Sequence, residues 1–180
     1  LCFLAVVGWR MWAGESVTPP ATDVEAAKMR MQAQTLMNQG NWREAFEQYE
    51  AILKTPSHQA ALANDLNHAV HCLGRLNEVK RFDAFVEDVV AIQEKNWRVL
   101  RQAALEYWSV QHQGFMIAGE FERGHHRGGG KQMNSFERDR VRSLQLMQQA
   151  LKAATPETAP GPELARFYLD FANYLLQGRG

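Results

Sequence analysis

Cysteine is scarce in this chain of 180 residues: there are two, Cys2 and Cys72. Cys2 sits in an apolar N-terminal run, which leaves Cys72 alone, and a single thiol closes no internal disulfide. A disulfide scaffold is therefore excluded. Cys72 reads as a small buried apolar residue rather than a nucleophile. Net charge is missing as well, with 20 Lys+Arg against 20 Asp+Glu. Nucleic-acid binders leave a basic footprint, so no nucleic-acid partner is expected. The apolar "LCFLAVVGW" at the N-terminus has nine residues, far short of the roughly 20 that span a bilayer. Signatures of catalysis are lacking too: no GxSxG, HExxH or CxxC occurs. Ser109 and His112 stand at i, i+3, but no third group nearby in sequence orients the histidine as a base. No enzyme and no cofactor are expected.

What is present is apolar content, 46% of the chain with 10% aromatic, enough for one domain or one layer of a repeat protein. The chain begins with Leu1 rather than Met. Residues 1–14 read as the remnant of an export signal or of a membrane anchor, with Met11 and Ala13 at −3 and −1 of a cleavage site. An exported protein with N-terminal membrane association follows from that reading. Residues 15–23 contain "SVTPPATD", a linker whose Thr22 or Asp23 is suited to cap a helix. Residues 24–180 form one helical domain, expected to be a fragment of a longer protein.

The helical reading rests on spacing. Ala26, Met29, Ala33, Leu36 and Met37 recur at i, i+3, i+7, i+10 and i+11. Trp42, Ala45, Tyr49, Ile52 and Leu53 repeat those intervals, and so do Trp97, Leu100, Ala104, Tyr107 and Trp108. Each set covers one helix face and needs a partner to bury it. The run "AQTLMNQGNWREAFEQYEAILKTP" resembles a tetratricopeptide repeat, with Ala33, Gly40, Trp42, Ala45, Tyr49 and Pro56 at or near the motif's positions. A second copy lies about 40 residues on: "FDAFVEDVVAI" from Phe82 aligns with "WREAFEQYEAI" from Trp42. Phe85 replaces the small Ala45, so that crossing must be wider. The expected fold is all-α: about seven helices in stacked hairpins, a short tetratricopeptide-like solenoid.

The stretch "GEFERGHHRGGGKQ", residues 119–132, stands apart. A phosphate-binding loop of the GxxxxGK[ST] type would need glycine at 125 and Ser or Thr at 132, but His125 and Gln132 stand there. His125 and His126 are adjacent, so their side chains diverge, and zinc needs three or four convergent ligands. The "HAVHC" cluster of His68, His71 and Cys72 shares a helix face but borders an apolar stripe. An ordered basic loop is the remaining reading. Arg123, Arg127 and Arg138 are the candidates for docking, either to acids of the same chain or to another domain. In "NSFERDR", Asn134 as N-cap with Glu137 has the pattern of a capping box.

The stretch "QGFMIAGEFERGHHRGGGKQMNSFERDRVRSLQLMQQAL", followed by "FYLDFANYLLQGRG", resembles the N-terminal helical region of large secreted bacterial proteins of the alpha-2-macroglobulin type. That resemblance spans roughly residues 24–180 and implies a protease trap with macroglobulin β-domains downstream. The family's Cys-Gly-Glu-Gln thioester and bait region are absent from this chain, so no functional residue carries over. The implied role is that of a scaffold whose partners are downstream domains or another protein. The alternative is a free-standing adaptor that binds a peptide in a concave groove.

Overall fold

A computed structural model describes residues 17–125, 127–154 and 161–176. The proposed signal or anchor remnant at 1–14, with Cys2, lies outside the described residues, as does His126. Seven α-helices are described: α1 (Asp23–Asn38), α2 (Trp42–Leu53), α3 (Leu62–Arg75), α4 (Phe82–Ile92), α5 (Trp97–Ser109), α6 (Phe136–Ala153) and α7 (Gly161–Leu176). The chain is thus mostly helical. The all-α expectation is corrected between α5 and α6, where three strands form a small antiparallel sheet: β1 (Gln113–Ile117), β2 (Glu120–Arg123) and β3 (Lys131–Asn134), in the order β2-β1-β3.

The ends of the helices are chemically marked. The Thr22 hydroxyl accepts from the Glu25 amide at 3.2 Å, and the Glu25 carboxylate accepts from the Thr22 amide at 3.2 Å. This reciprocal box satisfies donors that a helix start otherwise leaves bare. At the other end of α1, Gly40 has φ +83°. Its amide donates to Met37, and the Asn41 amide donates to Leu36. The same pair of bonds closes α3, where Asn77 takes the left-handed position at φ +55° and Glu78 donates back to Leu73. Both are Schellman endings; the first turns the chain into α2, which packs back on α1.

The predicted stripes form the core. Ala45, Phe46, Tyr49, Ile52 and Leu53 of α2 are buried, and so are Leu62, Leu66, Ala69 and Leu73 of α3. Helix α2 lies close against both α1 and α3, as a small residue at Ala45 allows. Helix α4 touches α5 more sparingly: Phe82 meets Tyr107 of α5 edge-on at 5.1 Å, while Phe85 meets Phe46 of α2 at a tilt, also at 5.1 Å. Two buried amides tie the α4–α5 connection to the α2–α3 connection. The Gln93 side chain donates to the Leu53 and Thr55 carbonyls at 2.8 and 2.7 Å, and that of Asn96 donates to Ser57 and Gln59 at 3.0 and 3.1 Å. Asn96 also caps α5. Helix α6 packs along α5, where the Ser143 hydroxyl donates to the Ala104 carbonyl at 2.8 Å.

Candidate functional site

The glycine- and arginine-rich stretch becomes intelligible through the sheet. β1 and β2 form a hairpin in which Ile117 pairs with Glu120. That leaves Ala118 and Gly119 as a two-residue turn, both at positive φ (+50° and +90°), as a type I′ turn requires. β3 pairs with the other edge of β1, so the segment 124–130 must cross β1 to reach it. The glycines serve that crossing. Gly124 has φ +91°, and a Cβ there would lie 2.5 Å from Val79 Cγ1; one on Gly130 would lie 3.2 Å from the Met116 carbonyl oxygen. Within β1, a Cβ on Gly114 would meet the Glu122 carbonyl oxygen at 2.2 Å and the Phe121 ring at 2.7 Å. The ring of Phe121 lies where a side chain on Gly114 would be.

Arg123, at the end of β2, points inward with its side chain fully buried. Its guanidinium makes paired bonds to Asp83 of α4, 2.9 Å from Nε and 2.9 Å from a terminal nitrogen. It makes a second pair to Asp139 of α6, at 2.8 and 2.9 Å. It also donates to the Gln111 carbonyl at 2.7 Å, and its plane rests against the rings of Phe82 and Phe121. Asp139 is equally buried and is surrounded by donors. Ser135 reaches it at 2.7 Å, Arg138 at 2.8 Å and the His112 Nδ1 at 2.9 Å. Burial alone would push the Asp139 carboxyl up, but hydrogen bonds from Arg123, His112, Ser135 and Arg138 hold it well below the usual carboxylate range. Burial likewise works against the Arg123 charge, and Asp139 and Asp83 more than restore it.

The three candidate arginines are thus separated. Arg123 and Arg138 meet at Asp83 and Asp139, with Arg138 Nη2 2.6 Å from Asp83 and its plane over Phe121. Arg127 is exposed in the crossing segment, as is His125, and Lys131 is exposed at the start of β3. The capping-box reading of Asn134 and Glu137 is corrected: α6 starts one residue later with Ser135 as its N-cap, and the Ser135 side chain makes no cap hydrogen bond. Asn134 accepts from the Phe136 amide at 2.8 Å, while the Ser135 hydroxyl is committed to Asp139 and the His112 carbonyl. Asp139 serves Arg123 rather than the helix dipole.

His112 does have the orienting carboxylate that its sequence neighbourhood lacks. Asp139 accepts from Arg123 and Arg138 as well as facing His112. The Ser109 hydroxyl donates to the Glu106 carbonyl at 3.3 Å. In "HAVHC", Cys72 is fully buried and burial pushes its thiol up to about 11, which suppresses the thiolate. The His68 ring lies on Tyr49 at 5.2 Å, and the His71 ring is edge-on to Trp42 at 5.6 Å.

Sequence reasoning missed Asp83, Ser135, Asp139 and His112 as members of one network. Ser135 and Asp139 at i, i+4 across a helix start were a usable signal. Asp83, 40 residues from Arg123, had none.

No protein-family model, curated protein or solved structure matches this chain.

Proposed function

We propose that the chain is a non-enzymatic, protein-interacting scaffold segment of an exported bacterial protein, built as a tetratricopeptide-like stack of hairpins. The observation that carries this reading is α7. Its inner face is spent on the stack: Phe167 meets Trp97 at 5.8 Å, Tyr174 meets Trp108 at 4.6 Å, and Arg98 grips Glu163 at 2.8 and 2.6 Å. Its outer face is also apolar but uncovered among the described residues, with Leu169 and Leu176 each 66% exposed. A helix that is apolar on two sides is suited to burial between neighbours. Clustered exposed apolar side chains mark interaction surfaces.

Support for the repeat reading comes from the matching Schellman ends of α1 and α3 and from the amide ties between the α2–α3 and α4–α5 connections. An alpha-2-macroglobulin-like parent is the specific form of the proposal, and it rests on the 119–142 resemblance. Arg127, exposed on the crossing segment, is the docking residue we assign to contacts outside this domain.

A photo-reactive amino acid in place of Tyr168, compared with one in place of Gln34 on the polar side of α1, tests the reading in cells. The expected result is a protein adduct from position 168 and little from position 34. Equal adducts from both positions, or none from 168, would overturn it.

A further inference from the structure

The outer face of α7 has an internal order that a merely sticky patch lacks. Ala165, Leu169, Ala172 and Leu176 follow one another at spacings of four, three and four, and all four are exposed. At 3.6 residues per turn they form one narrow seam, opposite the buried Phe167 and Tyr174. Small and large side chains alternate along it. Tyr168 and Leu175 flank the seam on one side, Arg166 and Asn173 on the other. We propose that this seam is the interface of a homodimer in which α7 packs antiparallel against α7 of a second copy; this rests on the reading of the outer face as a docking surface.

Two arguments select a second copy and its direction. In an antiparallel pair centred between residues 170 and 171, Leu169 falls on Ala172 of the second copy, and Leu176 on Ala165. Every large side chain then meets a small one, so the helices can approach closely. A two-fold axis perpendicular to the helices brings like flank to like flank. Tyr168 covers Leu175 of the second copy, and Arg166 lies beside Asn173, within reach of its side-chain carbonyl. The two Arg166 side chains stand about 13 Å apart along the helix, nine residues at 1.5 Å each. A parallel pair would set leucine on leucine and the apolar flank on the polar one. The antiparallel arrangement is isologous and closes on itself, as dimer contacts do. One helix pair belongs with the small specific interfaces, below about 1,200 Å², so the dimer is weak and depends on concentration.

Sedimentation equilibrium of the full chain over a wide concentration range is the test. The wild-type chain is expected to show a monomer–dimer equilibrium. Leu169→Glu should raise the dimer dissociation constant about tenfold or more, a change of about 1.4 kcal/mol. Ala172→Leu separates the proposal from general stickiness: it adds apolar surface but fills the space that receives Leu169. The proposal predicts weaker association for Ala172→Leu, with the helical circular dichroism unchanged. Tighter association, or a wild-type chain that stays monomeric throughout, would overturn it. If the chain is monomeric and position 168 cross-links to a different protein, the homodimer fails while the scaffold reading stands.

Discussion

A guanidinium with no access to water keeps its charge only where fixed acceptors replace its hydration, and Arg123 finds them in Asp83 and Asp139. Each carboxylate meets it through a two-bond fork, a geometry that lysine cannot copy. Arg123→Met would leave Asp139 buried among fewer donors, and breaking such a pair costs about 3–5 kcal/mol. Arg123→Lys should cost less but still lower the urea midpoint, whereas Arg127→Lys, at an exposed position, should stay within about 0.5 kcal/mol of wild type. Urea denaturation of the three variants checks the order. Acid dependence follows from Asp139, whose carboxyl is held low. Its stabilisation is present above the unfolded value of about 3.9 and fades as pH falls through the folded value. Asp139→Asn should be less stable than wild type at neutral pH, and the difference should shrink in acid.

Glu106 behaves oppositely. It is buried, its side-chain donors among the described residues are the amides of Asn67 and Gln102, and burial raises its carboxyl. Ionisation therefore costs stability once pH exceeds the unfolded value of about 4.3. Glu106→Gln should stabilise the chain at neutral pH, with the gain vanishing below about pH 4. Stability measured against pH for both variants separates the two signs. None of this was visible in sequence. The arginines were conspicuous, but their acceptors came from helices that the chain brings together only on folding.

Helices were legible from stripes at 3.6 spacing, from Thr22 or Asp23 as a start and from Gly40 as an ending. The alignment of Trp42 with Phe82 corresponds to the first residues of α2 and α4. The sheet was not legible. Its strands are four or five residues long, its turn is Ala-Gly rather than the stronger Asn-Gly signal, and half its pairing lies across the glycine-rich crossing. Gly114→Ala tests the sheet directly, because the added Cβ would overlap the Glu122 carbonyl. Amide exchange in 113–134 should rise sharply in that variant, with α1–α3 unaffected. For the hairpins, Ala45→Leu should cost about 1–3 kcal/mol by overpacking. Phe85→Ala should cost about 3–5 kcal/mol through the cavity it leaves beside Phe46. Equal urea midpoints for these variants and wild type would show that Ala45 and Phe85 do not sit at helix crossings.

At the scale of the molecule, the polar latch and the bare face have different tasks. Arg123 and its acceptors fasten the sheet to α4 and α6, so the most unusual stretch of sequence is accounted for within the fold. α7 is held by Arg98–Glu163 and Arg101–Asp170 and turns an ordered apolar face outward. The proposed scaffold role requires protein over that face in the working state. Hydrogen exchange along α7 checks this, comparing the native assembly with the same chain purified and diluted until it is alone. Amides of residues 161–176 are expected to exchange more slowly in the assembly, by about tenfold or more for a contact worth about 1.4 kcal/mol, while α2 and α3 exchange alike in both. Identical exchange along α7 in the two states would overturn the scaffold role.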